Sequence, residues 1–263
     1  MKLNSVPPRQ GVLWVQAGFR TFAKRPFAFA ALLTSVLFIV LLVRLMPALV
    51  VLVLPILPVI PLGFMIATRV TLGGGFPTLR VFVEPLRAER PRVIALLKVG
   101  LVYAAAMFAM MWLADLLDGG MPAIELDAVP SAASAPDAAR TAAADAGPTF
   151  GMLLRFGATL LLSIPFWHAP ALVYWDGQGC AQALFSSTLA CWRNRGAFAV
   201  YALMWVGLAM ASGVFVSLLV AVLGLPQLPL IAGVAVVLLI ASVYYASLYF
   251  TFADSFAPND AGA

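Results

Sequence analysis

The sequence predicts an all-α membrane protein: a polytopic bundle of six transmembrane helices in three hairpins, each preceded by a cytoplasmic amphipathic interfacial helix. Composition gives the first two indications, because 63% of the 263 residues are hydrophobic and only 10% are charged. The mean hydropathy is +1.01. Soluble domains carry about 25% charged residues, so a chain of this composition belongs in a bilayer.

Six apolar runs provide the third indication, because a helix needs roughly 20 apolar residues to cross about 30 Å of hydrocarbon. They cover residues 26–44, 47–69, 93–115, 155–175, 197–225 and 228–250. Very short links join the spans of the first and third pairs, as expected of hairpins. We therefore treat residues 1–263 as a single integral membrane domain.

The link between spans three and four is longer and has a different composition. Residues 118–148 are rich in Ala, Pro, Gly and Asp and poor in large apolar side chains. This composition is typical of a mobile loop. The loop is expected to face the periplasm as a passive tether, and a contact for an outer partner is the alternative.

Basic residues predict the orientation, because lysine and arginine accumulate in short cytoplasmic loops. Thirteen of the 16 basic residues fall on one side of the predicted bundle. They are Lys2, Arg9, Arg20, Lys24, Arg25, Arg69, Arg80, Arg87, Arg90, Arg92, Lys98, Arg193 and Arg195. Only Arg44, Arg140 and Arg155 fall on the other side, together with six of the eleven acids. Both termini are therefore predicted to be cytoplasmic in a bacterial inner membrane.

This charge distribution predicts contact between the inner face of the protein and anionic lipid headgroups, which attract basic groups near the surface. The residues expected to make these contacts are Arg20, Lys24, Arg25, Arg80, Arg87, Arg90, Arg193 and Arg195. Nucleic acid is a poor alternative partner, because the chain has no soluble basic domain that could present such a surface.

A segment with helical apolar spacing stands before each hairpin, which is typical of helices that lie in the interface. The segments are GVLWVQAGFRTFAKR, LRVFVEPLRAER and QGCAQALFSSTLACWRNRG. Their predicted apolar faces are Val12, Val15, Phe19 and Phe22; Leu79, Phe82, Val83 and Leu86; and Ala181, Leu184, Phe185, Thr188 and Trp192. Pro85 is expected to kink the second segment. The order of surface helix, breaker and hairpin occurs three times, so an internal triplication and a chance likeness of basic links both stay open.

Polar and kinked positions within the spans are candidates for function, because charges at membrane depth are costly. Arg155 and Lys98 are interpreted as snorkelling side chains, and Arg44 and Arg69 as span ends. His168 is the only histidine. It is either a proton-relay or ligand group opposite Ser163, Trp167 or another span, or a group that makes one hydrogen bond within the bundle.

Prolines interrupt two of the predicted spans. Pro58 lies between Pro55 and Pro61 in span two, and Pro165 and Pro170 lie in span four. Broken helices of this kind line substrate sites in some transporters, although a proline can also simply bend a helix. Pro58, Pro165 and Pro170 therefore join His168 and Arg155 as candidate functional positions.

No catalytic pattern accompanies these residues. The sequence shows neither a nucleophile beside a base nor a His, Asp and Glu cluster for a metal, and every acid lies outside the core of the spans. We therefore expect no enzymatic activity, no metal and no cofactor. Cys180 and Cys191 cannot pair within one helix and are interpreted as small apolar residues.

Two blocks of the sequence carry a resemblance to a known family. The chain resembles an uncharacterised proteobacterial six-span inner-membrane protein family in two regular blocks, WVQAGFRTFAKRPFAF and PFWHAPALVYWDGQGCAQALFSSTLACWRNRGAF. In that family an APALV span end leads into an AL..S..A...N helix. The plan is more distantly similar to the membrane domain of some glycerophosphodiester phosphodiesterases. The resemblance implies six helices in one bundle, and it carries no functional residue over to this chain.

Two functions are consistent with these features. The first is a non-enzymatic organiser or accessory subunit that offers a face of the bundle to a membrane-protein partner or to itself. The second is a small-solute or lipid transporter in which His168 and the proline breaks of spans two and four line the route.

Overall fold

Helices make up most of the chain in a computed structural model that describes residues 2–46, 53–117, 150–223 and 228–257. They are α1 (Gln10–Lys24), α2 (Pro26–Leu45), α3 (Val59–Leu72), α4 (Arg80–Val83), α5 (Arg90–Leu117), α6 (Phe150–Phe166), α7 (Ala169–Asp176), α8 (Cys180–Arg193), α9 (Arg195–Leu223) and α10 (Leu228–Ser255). Two 3₁₀ turns cover Leu54–Ile56 and Glu84–Arg87, and β1 (Lys2–Leu3) and β2 (Phe256–Ala257) are two-residue strands. The predicted loop at 118–148 lies outside the described residues.

Six segments of the described chain are long and apolar enough to cross a membrane, which confirms the predicted fold class. They are Pro26–Val43, Leu54–Leu72, Arg90–Ala114, Arg155–Asp176, Arg195–Leu223 and Ala232–Ser255. The second span starts with a 3₁₀ turn, and α3 begins only at Val59. Pro55 and Pro58 have no N–H to donate, so a regular α-helix cannot run through this part of the span.

The two ends of the chain meet. β1 and β2 pair antiparallel, with Lys2 opposite Ala257 and Leu3 opposite Phe256. The Asn4 N–H then donates to the Ser255 carbonyl oxygen at 2.8 Å. Both terminal segments therefore lie on the same side of the bundle, as an even number of crossings requires. We call this side the termini side.

The hydrophobic core is concentrated on the termini side. α2 buries no described side chain beyond Val36, and α9 buries none beyond Trp205. Between residue 232 and the end of α10, burial begins only at Ser242. On the opposite side these helices leave apolar side chains such as Leu218 and Val222 uncovered by the described chain. Among the residues that the structure describes, the helices are thus packed more tightly on the termini side than on the opposite side.

The short helices pack through small residues. α8 buries Ala183, Ser187 and Ala190, whereas Phe185 and Trp192 of the predicted apolar face are each 69% exposed. α1 likewise buries Gly11 and Gly18 and exposes Phe19, but it also buries the large side chain of Trp14. Small side chains let helix backbones approach closely, so α8 contacts the bundle by its small face, whereas α1 combines two glycines with one large aromatic anchor.

The second amphipathic segment differs from its predicted pattern. Val81 and Pro85 are buried, whereas Leu79, Val83 and Leu86 of the predicted face are exposed. The helix changes from α to 3₁₀ at Glu84, the residue before Pro85, whereas the predicted kink itself stays a prediction. A 3₁₀ turn has 3.0 residues per turn, so the face that points inward changes along the segment.

The close packing of α1 predicts that Gly11→Ala destabilises the fold. A methyl group at Gly11 would fall on the carbonyl oxygen of Ala197 and the backbone nitrogen of Tyr201, neither of which can rotate away. We expect the free energy of unfolding in mild detergent to fall by about 1–3 kcal/mol. Gly207→Ala is the matched control, because a methyl group there meets open space. An equal loss in both variants would contradict the close packing of α1 on α9.

Candidate functional site

Span four is interrupted at its centre. α6 ends at Phe166 and α7 begins at Ala169, so Trp167 and His168 lie at the break. Pro165 lies inside the last turn of α6, and Pro170 lies in the first turn of α7. Neither proline can donate a backbone hydrogen bond, and Pro170 at the start of α7 replaces an N–H that would have no helical partner.

Ser187 of α8 restores the hydrogen bonding at this break. In a regular helix the His168 N–H would donate to the Ile164 carbonyl oxygen. Here the His168 N–H donates to Ser187 Oγ at 3.0 Å, and the Ser187 hydroxyl donates to the Ile164 carbonyl oxygen at 3.1 Å. The hydroxyl is thus inserted between the two backbone groups, which matters because an unsatisfied polar group in a membrane is costly.

The His168 side chain lies in an aromatic environment. It is fully buried, and its ring centroid lies 5.8 Å from those of Phe198 and Phe252 and 5.6 Å from that of Phe256. Neither ring nitrogen has a hydrogen-bond partner within the described part of the chain. The structure thus brings no polar group of Ser163 or Trp167 to this imidazole, and its role stays a prediction.

A cavity of about 200 Å³ lies beside the break in span four. Its walls include Pro58 and Pro61 at the start of span two, Tyr103 of α5, and Ser163 and Trp167 of span four. The structure therefore brings Pro58 close to the Pro165 break, although His168 is not among the residues that line this cavity. The Trp167 ring N–H is occupied, since it donates to the Thr251 hydroxyl at 3.3 Å.

A network of hydrogen bonds on the termini side ties the ends of the chain to the bundle. The Val6 N–H donates to Asn194 Oδ1 at 2.9 Å, and Asn194 Nδ2 donates to the Asn4 carbonyl oxygen and to Ser255 Oγ. Asp254, the residue before Ser255, extends this network. Asp254 Oδ2 accepts hydrogen bonds from the Gln10 side chain at 2.6 Å and from the Trp14 ring at 2.7 Å.

A second cavity, of about 640 Å³, also lies on the termini side. Its walls carry three arginines, Arg69, Arg87 and Arg92, and two glutamates, Glu84 and Glu89. We call it the arginine pocket. Span ends and a 3₁₀ turn build it, so residues far apart in the sequence share one site.

The predicted headgroup contacts are all at the surface. All eight side chains are exposed, namely Arg20, Lys24, Arg25, Arg80, Arg87, Arg90, Arg193 and Arg195. Arg25 and Arg195 lie over the rings of Phe76 and Trp192, at 5.9 and 5.5 Å. Arg155 is half-buried near the start of α6. The headgroup contacts themselves stay predictions.

The cysteines are free thiols on α8. Burial raises the pKa of Cys191 to about 12. This thiol therefore stays protonated at neutral pH and is a poor nucleophile. The Cys191 thiol also lies 3.8 Å from the Ile164 carbonyl oxygen, next to the Ser187 bridge.

Sequence reasoning identified the break in span four but not the residues that stabilise it. Composition and spacing do not identify Ser187, Asn194 or Asp254 as site residues, and they predict Arg69 only as a basic residue at the end of span two. One signal was available for α8. The pattern AL..S..A...N places Ala183, Ser187, Ala190 and Asn194 on one face, and all four are buried. The APALV stretch at 169–173 is buried as well.

A comparison with known proteins finds a full-length relative. A probable inner membrane protein of Burkholderia thailandensis is 31% identical to this chain over 267 aligned residues. The alignment covers 100% of this chain and 97% of the relative. No family model matches the chain, and no solved structure matches it.

The bridge at the break predicts that Ser187→Ala destabilises the bundle. The variant leaves the His168 N–H and the Ile164 carbonyl without the hydroxyl that joins them, at a cost of about 1–3 kcal/mol. Denaturant unfolding of the full chain in mild detergent measures this loss. Thr188→Ala is the control, because that exposed hydroxyl donates only to Leu184 of its own helix. If the two variants unfold alike, the bridge does not stabilise span four.

Proposed function

The chain belongs to the family of the probable inner membrane protein of Burkholderia thailandensis, and from this premise we propose that it is a non-enzymatic organiser or accessory subunit of the inner membrane. In this role the tightly packed termini side holds the short helices at the lipid surface, while the loosely packed side of the bundle binds another membrane helix. The partner is a membrane protein or a second copy of this chain.

The orientation proposed for this role places the termini side in the cytoplasm. The strongest support is the charge distribution, because thirteen of the 16 basic residues lie in the N-terminal segment, in the links or near the span ends that are predicted for that side. The exposed arginines and lysines of α1, α4 and α8 then meet the anionic headgroups of the inner leaflet. Large exposed apolar side chains on the same helices, such as Phe185 and Trp192, enter the lipid beside them.

The observation that carries the proposal is the uncovered part of α9. From Val206 to Leu223 this helix buries no residue against the described chain. A methyl group at Gly207 or Gly213 would meet open space, so the helix backbone is accessible there. Helices associate in membranes mainly by close packing at small residues, which suits this surface to a second helix.

A transporter is the second candidate, and a specific observation favours it. The cavity of about 200 Å³ lies where the prolines of span two approach the break in span four. A groove of about 520 Å³ between α9 and α10 shares Tyr244 with that cavity. Cavities beside interrupted helices are the usual place of a substrate site in transporters. The organiser is preferred because the Ile164 carbonyl freed by the break is already bound by Ser187.

The orientation is checked with two fusions of the full chain. A fluorescent protein that matures only in the cytosol, attached after Ala263, is expected to fluoresce. Alkaline phosphatase, which is active only in the periplasm, is expected to be active when inserted after Ala133 in the predicted periplasmic loop. The opposite result for both reporters would reverse the orientation.

The proposed partner surface is tested by photo-crosslinking in cells. A photoreactive residue at Met210 or Val214, which are 69% and 60% exposed and lie one helical turn apart, is expected to form a discrete protein adduct. The control position is Leu41 of α2, which is 54% exposed and has the large exposed side chains Phe38 and Leu45 one helical turn away. We expect only lipid adducts there.

Two results would contradict the organiser. One is lipid adducts alone at both positions of α9. The other is a solute flux that depends on the chain and falls at least about tenfold in Pro58→Ala or His168→Ala, with the protein level unchanged. A tenfold change in rate corresponds to a barrier change of about 1.4 kcal/mol. The second result would establish the transporter instead.

A further inference from the structure

The arginine pocket lies where the end of span two, the link to span three and the end of span four meet. Ile66, Arg69 and Val70 of α3 form one wall, and Tyr174 and Trp175 of α7 form another. The link supplies the remaining wall through the turn and loop at residues 84–89, together with Arg92. Its volume of about 640 Å³ is within the usual range of about 300–1,000 Å³ for small-ligand sites.

Two of the arginines are held by uncharged groups. The Arg69 guanidinium lies over the Trp175 ring, 5.9 Å from its centroid. Arg92 Nη1 donates to the Tyr174 carbonyl oxygen at 3.2 Å. A ring and a carbonyl position a guanidinium without neutralising its charge, so both arginines keep their capacity to pair with an anion.

The glutamates offset only part of this positive charge. Glu84 Oε1 accepts the Tyr174 hydroxyl hydrogen bond at 2.7 Å, so one of its carboxylate oxygens is already occupied at the pocket wall. Glu89 is exposed at the edge of the pocket. With three arginines and two glutamates the walls carry a net positive charge, and a guanidinium is a planar donor that matches phosphate oxygens in pairs.

The rest of the pocket is apolar. Ile66 is buried, and Val70 and Trp175 are half-buried beside it. The pocket lies at the membrane ends of spans two and four, where tryptophan is common because its ring fits the headgroup layer. A ligand that reaches this depth from the membrane presents a charged group to the arginines and carbon chains to the apolar wall.

We propose that the arginine pocket binds a phosphate group. Arg69, Arg87 and Arg92 donate to its oxygens, and the apolar wall accepts the glycerol and upper chains when the phosphate belongs to a phospholipid. The site goes beyond a general attraction of exposed basic residues to the membrane, because it selects one headgroup at one position. It needs neither the organiser nor the transporter, and it rests only on the family's place in the membrane.

The test measures ligand-induced thermal stabilisation of the purified full chain in mild detergent. The probes are short-chain phosphatidylglycerol, a diacylglycerol with the same chains but no phosphate, and inorganic phosphate. We expect saturable stabilisation by phosphatidylglycerol and none by the diacylglycerol. Arg69→Gln is expected to weaken the apparent affinity for phosphatidylglycerol about tenfold, the factor that corresponds to one hydrogen bond to a charged group.

Two further variants separate a binding role from a structural one. Arg87→Gln is expected to weaken binding in the same way. If Arg69→Gln lowers the stability of the unliganded chain through loss of the Trp175 contact, Arg87→Gln decides whether the pocket arginines bind the phosphate. Glu89→Gln is expected to bind the phosphate about two- to fivefold more tightly, because a repelling charge at the edge is removed. Arg9→Gln is the charge-matched control, since Arg9 is exposed before α1 and does not line the pocket.

The outcomes distinguish the source of the phosphate. If inorganic phosphate stabilises the chain as well as the lipid does, and with the same dependence on Arg69, the site takes free phosphate. If only phosphatidylglycerol does so, the site takes a lipid headgroup. Equal stabilisation by the diacylglycerol, or equal loss of affinity in Arg9→Gln and Arg69→Gln, would overturn the proposal. Cross-linking at α9 is independent of these results, so the two proposals can fail separately.

Discussion

The Ser187 hydroxyl between His168 and Ile164 is the interaction on which the arrangement of span four depends. In a membrane every backbone polar group needs a partner within the protein, and a proline break leaves groups without one. Ser187 supplies both an acceptor and a donor from a neighbouring helix. As a result, Ser187 links α8 to the interrupted span four. The first turn of α7 then lies beside the aromatic rings that surround His168.

The same requirement accounts for the termini side as a whole. Asn194 and Asp254 bind backbone and side-chain donors from the N-terminal segment, so the chain ends complete the core instead of leaving it. Small residues on α1 and α8 let these contacts form at short range. The opposite half of the bundle has no comparable set of polar contacts among the described residues.

The buried histidine and the charged groups lie in different parts of the structure. The buried imidazole of His168 is surrounded by phenylalanine rings, an environment suited to packing. Charged groups gather instead at the ends of the spans and in the links, as Arg69, Glu84 and Arg92 do. Arg69, Arg87 and Arg92 come from three separate segments, and the 3₁₀ turn at Pro85 brings the second of them to the other two.

The sequence by itself determined the number of spans, their hairpin order and the side that carries the basic residues, because hydrophobic length and charge act locally along the chain. It also located the break at Pro165 and Pro170 and the irregular helix around Pro85, since proline acts on its own backbone. Only the tertiary structure decided which faces of the short helices point inward. The apolar faces predicted for α8 and for the segment at 79–86 are largely outside, because lipid accepts large apolar groups and close packing selects small ones. The tertiary structure alone also decided the hydrogen-bond partners of Ser187, Asn194 and Asp254 and brought the three arginines into one pocket. Hydrogen bonds and pockets join residues that no sequence spacing connects.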